Sequence, residues 1–464
     1  GWTWMGCPIT LISGFQTAGK ATLLRRLLEN ADGLKVGVLL NDLAGLDVSE
    51  ALFAKEIGIK HDVVELQNGC CACCIAPDEL LQGIAALMKR SAERSATWDH
   101  IVVELSGGAE PRKVRDSFRN ALVSEPSILA GSNLHTIVAV VDASTFVAEI
   151  EKRNRLQERP DLVCEQTSSL GDSNRQVCDL LCEQIECADI LVLDRVELVK
   201  SQHEVALVKQ AVSSLNATAE VYTNQHQRVD LIDMLSVTAG GGVANLSEYM
   251  EHRRAVDVVT SSNHFCITTH DARQHANGHP KACCGIETAE DASADLAGGA
   301  LVASFCYQRR VPFHPFRLRD VIRELPVRLD KLALSDAVNL DGQADGRSPM
   351  RRLIRSKGFV WLSNSHTQMF HWTHAGRHFE IKQHSPWWAT HPRSQWATNE
   401  REAVEIQKDF EGEMGDRRQE LIFVGINMDV IAMTKLLDEC LLTTTEMADY
   451  RKRIREEPVA KTRA

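Results

Sequence analysis

No run of about 18 apolar residues, the length a membrane-crossing helix needs, occurs in this chain of 464 residues. A spanning segment is therefore not expected, and neither is a membrane partner. An excess of positive charge is missing too. Lys and Arg number 52 against 63 Asp and Glu, a net charge of −11. That sign argues against nucleic acid as a bulk partner. The opening Gly1-Trp2-Thr3-Trp4 resembles neither a signal nor a transit peptide, so a cytoplasmic location is expected, with an organelle after leader removal left open. Regular cysteine spacing is also lacking. The 14 cysteines fall unevenly, several side by side, which suits metal or redox chemistry in a reducing compartment better than a disulfide framework. An apolar content of 44% over this length can bury large cores, and two domains are expected.

What is present is organised around residues 8–28. An apolar run at 9–12 leads into Gly14-Phe15-Gln16-Thr17-Ala18-Gly19-Lys20-Ala21-Thr22, and Leu23, Leu24, Leu27 and Leu28 follow at helical spacing. Strand, glycine-bounded loop with Lys after the second Gly, then helix is the context of a phosphate-binding loop. Gly14 and Gly19 let the backbone fold back with its N–H groups inward. The helix N-terminus adds partial positive charge, and Lys20 can reach terminal phosphates. The next position holds Ala21, where a Ser or Thr hydroxyl would bind magnesium.

Further along, strands are expected at 36–40, 63–66, 101–105, 137–141 and 190–193, with helices at 78–90 and 204–215 among them. That alternation implies an α/β fold, a mostly parallel sheet of the P-loop NTPase type covered on both faces. Ligands of such sheets bind at the carboxyl ends of strands, where Asn41, Glu104, Asp142 and Asp194 fall. This domain is assigned residues 1–239. Residues 240–299 read as a linker, beginning with Gly240-Gly241-Gly242. They carry His264, Cys266, His270, His275, His279, Cys283 and Cys284, either a flexible metal-collecting loop or a plain polar connection. A smaller α+β domain is expected at 300–450, with strands at 301–307, 358–362, 369–372, 379–381 and 421–424 and helices at 317–334 and 430–442. Ala375-Gly376-Arg377 reads as its hairpin turn. Trp361, Trp372, Trp387 and Trp388 are expected in its core. A charged tail follows at 451–464.

Leu66-Gln67-Asn68-Gly69-Cys70-Cys71-Ala72-Cys73-Cys74, together with the phosphate loop, resembles the CobW-like metallochaperone GTPases, which carry Cys-x-Cys-Cys after Asn-Gly. Asn41-Asp42 stands where that family has its first switch segment. Glu104-Leu105-Ser106-Gly107 resembles its Glu-x-x-Gly magnesium and hydrolysis segment, and Val140-Val141-Asp142-Ala143 a further sheet-end motif. Pro312-Phe313-His314-Pro315, Arg355-Ser356-Lys357-Gly358-Phe359 and Gly415-Asp416-Arg417-Arg418-Gln419-Glu420-Leu421 resemble its C-terminal domain. The match runs from about residue 8 to about 445, and several motifs in order make it specific.

Thiolates are soft ligands that suit zinc, and three of them leave a tetrahedral ion one position for transfer. Cys73 and Cys74 keep the family's spacing to Asp78-Glu79-Leu80-Leu81, so the resemblance implies them as ligands, with either Cys70 or Cys71 completing the set. The resemblance implies GTP, magnesium and zinc as cofactors and a client metalloprotein as partner. It places Gly14, Gly19, Lys20 and Thr22 on the phosphates and Asp42 and Glu104 on magnesium. Lys20 and Glu104 are the residues for hydrolysis. The base-reading segment is Asp194-Arg195-Val196-Glu197, where the family has Asn-Lys-x-Asp. Arg195 can stack on a purine and Glu197 can supply the carboxylate. Thr17 stands where the family has Gly. The expected function is a GTP-dependent zinc chaperone. The alternatives are a nucleotide-independent metal-binding or scaffold protein and a cobalt or iron chaperone of the nitrile hydratase activator type.

Overall fold

Short β-branched runs and leucine-rich helical segments alternate through the first half, and the elements follow that alternation. A computed structural model describes residues 6–15, 18–29, 34–40, 62–65, 77–93, 98–124, 129, 131–152, 154–159, 162, 175–223, 246–261, 266–267, 302–323, 325, 348–396 and 400–456. The chain divides into two compact units, Gly1–Ala255 and Val256–Ala464.

In the first unit the order is β1 (Cys7–Ser13), α1 (Lys20–Glu29), β2 (Val36–Leu40), β3 (Asp62–Glu65), α2 (Pro77–Glu93), β4 (His100–Glu104), α3 (Pro111–Ser124), β5 (Ser132–Asp142), α4 (Phe146–Glu151), α5 (Val177–Glu186), β6 (Ile190–Asp194), α6 (Gln202–Leu215) and β7 (Glu220–Thr223). A further helix, α7 (Glu248–Ser261), starts in this unit. The strands form one seven-stranded sheet in the order β3-β2-β4-β1-β5-β6-β7, and every pairing is parallel. Side chains of a strand alternate between the two faces. Ile9, Leu11, Leu39, Ile101, Val103 and Ile137 share one cluster with Leu80, Leu81, Ile84 and Leu87 of α2 and Val114 and Phe118 of α3. The intervening Ile12, Val38, Val102 and Val138 are fully buried too. Both faces are therefore covered, as an all-parallel sheet requires.

The second unit contains β8 (Cys266–Ile267), β9 (Val302–Arg309), α8 (Pro315–Ile322), β10 (Leu353–Val360), β11 (Gln368–Ala375), β12 (His378–Pro386), α9 (Glu400–Lys408), β13 (Gln419–Ile426), α10 (Val430–Asp438) and α11 (Thr444–Glu456). Its sheet runs β12-β11-β10-β13-β9-β8 and is antiparallel except for the short β8–β9 pair. Gly376, at φ 52°, turns β11 into β12 with Ala375 opposite His378, as the hairpin reading expected. Trp372, Phe423 and Leu421 pack with Leu318 of α8 and Met433 of α10. Phe359, Trp361 and Trp387 form a second cluster with Tyr450 of α11.

Several boundaries differ from the sequence reading. The helix expected over 430–442 ends at Asp438 because the next residues pair elsewhere. Leu442 N–H donates to Pro312 O at 3.0 Å, and Cys440 O accepts from His314 N–H at 2.8 Å. The helix expected from 317 starts at Pro315, whose fixed φ suits a first turn, and ends at Ile322. Within the stretch read as a linker, α7 is helical, and Glu251 on it is buried against two arginines of α3. The stretch read as a charged tail from 451 begins inside α11, whose Tyr450 is buried.

Candidate functional site

The phosphate-loop residues sit where β1 leaves the centre of the sheet. Gly14 has φ +131°, and a Cβ there would lie 2.3 Å from Val140 O of β5, so only glycine fits. Ala18 N–H donates to Phe15 O at 3.0 Å, and Leu23 N–H to Gly19 O at 2.9 Å, which opens the first turn of α1. Gly19 has φ +96°. Lys20 is buried, and its Nζ donates to Gly14 O at 2.8 Å and Phe15 O at 2.9 Å. A cation is thus held inside the loop at the N-terminus of a helix, which favours a phosphate for both reasons. Ala21 and Thr22, on the first turn of α1, are exposed.

β4 lies directly beside β1, with Glu104 opposite Ile12 and Leu105 N–H donating to Ile12 O at 2.9 Å. The segment after Glu104 therefore leaves the sheet next to the loop. It closes a turn through Ala109 N–H to Ser106 O at 3.1 Å, with Gly107-Gly108 at its centre. A Cβ on Gly108 would lie 2.0 Å from Leu162 O. Gln184 of α5 donates through Nε2 to Gly107 O at 3.1 Å and Ala109 O at 3.0 Å.

On the other side of β1, Asp142 and Asp194 are register partners at the ends of β5 and β6. Arg195 adopts the left-handed conformation at φ 55°. It donates through Nη1 to Asp142 Oδ2 at 2.9 Å. Asp194 Oδ2 would lie 2.1 Å from a Cβ on Gly19, so its carboxylate abuts the loop. Glu197 is exposed on a short turn, 196–198.

Gly14, Gly19, Lys20, Glu104, Asp142, Asp194 and Arg195 thus share the carboxyl edge of the sheet. Asp42, Cys70, Cys71, Cys73 and Cys74 lie outside the described residues, as does the His/Cys-rich stretch apart from Cys266. Among the described residues, no group of three or more His, Cys, Asp or Glu is arranged to hold a metal ion. His374, a hairpin histidine, is fully buried and its Nε2 bonds Gly376 O at 2.9 Å. No helix among the described residues is long and apolar enough to cross a membrane.

Sequence reasoning missed the ionic support beneath this edge. Arg115 is fully buried and pairs with Glu251 at 2.7 Å, and Arg112 reaches the same carboxylate at 2.9 Å. Arg175 joins Glu110 at 2.6 Å to Glu183 at 2.7 Å. Burial, with the nearby acids, holds the Cys187 thiol well above its ordinary range, so it stays protonated there. These partners are far apart in sequence, and only the Arg-rich start of α3 (Pro111-Arg112-Lys113-Val114-Arg115) hinted at them.

Comparisons with known proteins follow the same division. A family model described as CobW/HypB/UreG, nucleotide-binding domain, matches residues 8–223, and one described as cobalamin synthesis protein cobW C-terminal domain matches 302–441. The zinc-regulated GTPase metalloprotein activator 1 of Dictyostelium discoideum is 25% identical over 452 residues, covering 95% of this chain and 81% of that protein. The zinc chaperone CobW of a Sinorhizobium species is 31% identical over 215 residues, covering 45% of this chain and 55% of the relative. Among solved structures, zinc-bound YjiA GTPase from E. coli covers 94% of this chain and 99% of its own, at 16% identity and TM-score 0.35.

Proposed function

This chain belongs to the CobW family, and from that premise we propose that it is a GTP-dependent metallochaperone that binds zinc at the 70–74 cysteines and delivers it to a client metalloprotein. The observation that carries the nucleotide half is the Lys20 ammonium held between Gly14 O and Phe15 O in a loop that only glycines can form. The metal half rests on the Cys71-Ala72-Cys73-Cys74 motif and on relatives named as zinc chaperones and zinc-regulated activators.

The donor set fits a nucleotide well and magnesium less well. Backbone N–H groups of the loop and Lys20 bind the phosphates. Ala21 supplies no hydroxyl, so Glu104 and Asp42 are left to hold magnesium, directly or through water. When bound, that ion neutralises charge on the transferring phosphate. Glu104, on the strand beside the loop, orients the attacking water in the alternative role. Arg195 covers the base while Asp142 fixes its guanidinium. Thiolates of Cys73, Cys74 and either Cys70 or Cys71 take the zinc as cargo.

Ala21 and the carboxylate at Asp194 favour a second reading, a metal-binding scaffold without turnover. One experiment separates the two. Protein purified without chelator is analysed for metal, and phosphate release from GTP and from ATP is followed with and without added zinc. Bound zinc that Cys73→Ser with Cys74→Ser removes, plus GTP turnover that zinc modulates, supports the proposal. Zinc with no nucleotide binding leaves the scaffold. Cobalt or iron in place of zinc changes the cargo.

A further inference from the structure

Gln184 sits on α5, only 1% exposed, and points its amide at the turn after β4. Its Nε2 donates to two carbonyls of that turn, Gly107 O and Ala109 O. The opposite amide orientation would set its oxygen against both carbonyls, so the donor assignment follows from the partners. On either side, Leu162 O leaves no room beyond hydrogen at Gly108, and Arg175 holds Glu110 at 2.6 Å. A turn centred on two glycines has no side-chain packing of its own to fix its peptide planes. Besides its own Ala109–Ser106 bond, the turn is held from outside by one amide on a different helix, which bonds two of its carbonyls.

We propose that Gln184 is a positioning residue for nucleotide hydrolysis. By fixing the carbonyls of Gly107 and Ala109 it aims the Gly107 and Gly108 N–H groups, and the adjoining Glu104 carboxylate, at the terminal phosphate. This rests on the nucleotide reading above. The placement of the turn supports the geometry: Leu105 bonds to Ile12, two residues before Gly14, so the braced turn leaves the sheet beside the phosphate loop. The hydrogen bonds of Gln184 go to the turn and not to a phosphate-loop residue. It acts through backbone it holds, and its loss affects the chemical step rather than binding.

The test compares wild type with Gln184→Met, which keeps length but donates nothing, and Gln184→Glu, which sets a carboxylate against the two carbonyls. Fluorescent GTP and GDP binding, steady-state turnover and thermal unfolding are measured on the full chain. Loss of two buried hydrogen bonds predicts a kcat about ten- to a hundredfold lower in both variants, with KM and nucleotide Kd within about threefold of wild type. Wild type that binds no GTP overturns the nucleotide reading itself. Wild type that turns GTP over while Gln184→Met does so equally well overturns only this assignment. Parallel losses of binding and turnover, or failure of both variants to fold, assign Gln184 to the fold and overturn it as well.

Discussion

The Asp194 carboxylate fills the space beside Gly19 that any side chain there would need, with Oδ2 only 2.1 Å from the position of a Cβ. Gly19 also has φ +96°, a conformation unfavourable for other residues. Gly19→Ala therefore meets two obstacles, a clash and backbone strain, the latter costing about 1–3 kcal/mol. GTP affinity should fall by more than about tenfold. Adding Asp194→Ala removes the clash alone, so the double variant should recover part of the binding but not all of it. Full recovery would show that the φ requirement is unimportant.

The strand pattern, the phosphate loop and the sheet-end acids were legible because each rests on local periodicity or on contiguous motifs. β2 coincides with the apolar run at 36–40, and Trp361, Trp372 and Trp387 are buried as expected. What escaped depends on pairings between residues far apart. Nothing near Glu251 marks it as the partner of Arg115, 136 positions away. Gln184 reads as one polar residue in an amphipathic helix until its two carbonyl partners are placed, 75 and 77 positions away. The helix end at 438 was likewise decided by tertiary bonds and not by propensity.

Ala21 is exposed on the first turn of α1, so a larger side chain there needs no repacking. Ala21→Thr should fold normally and raise GTP turnover and its magnesium dependence, by about tenfold if the hydroxyl completes the ion's coordination. Lys20→Ala should instead weaken nucleotide binding itself. A magnesium titration of turnover in the three proteins checks both. An unchanged magnesium response in Ala21→Thr would mean that Asp42 and Glu104 already suffice. Equal affinity in Lys20→Ala would sink the phosphate-loop assignment.

Arg115→Met removes one of the two arginines that pair with buried Glu251, leaving its 2.9 Å contact with Arg112. Breaking one side of such a pair costs roughly 3 kcal/mol, because the carboxylate loses a buried counter-charge at 2.7 Å. Combining it with Glu251→Gln removes the stranded charge and should restore more than half of the loss, read by urea unfolding of the first unit's transition. Strictly additive losses would show that the two side chains do not communicate.

Burial pushes His100 in β4 down to about 3, with His135 nearby adding to it, and His100 Nε2 is bonded to Thr10 Oγ1 at 2.8 Å. Burial likewise brings His374 to about 3, with Arg355 contributing. Both remain neutral in the folded chain while their unfolded counterparts take up a proton below about 6.5. Their stabilisation is therefore complete above that pH and is lost as pH falls through the window from about 6.5 to about 3. At about pH 5 each should cost about 2 kcal/mol relative to about pH 7.5. Unfolding free energies at the two pH values test this, with His374→Phe expected to flatten the acid slope. An equal slope in that variant would remove His374 as a cause.

The strand order places β1 at the centre of its sheet between partners that follow much later in the chain. Ile9 waits for Ile101, and Cys7 for Ser132. The wall behind Gly14 is Val140. A ribosome must therefore release the chain to about residue 142 before the loop after β1 can take its shape. The β1 segment is therefore late to mature, and during synthesis its apolar strand depends on staying unpaired for that whole interval.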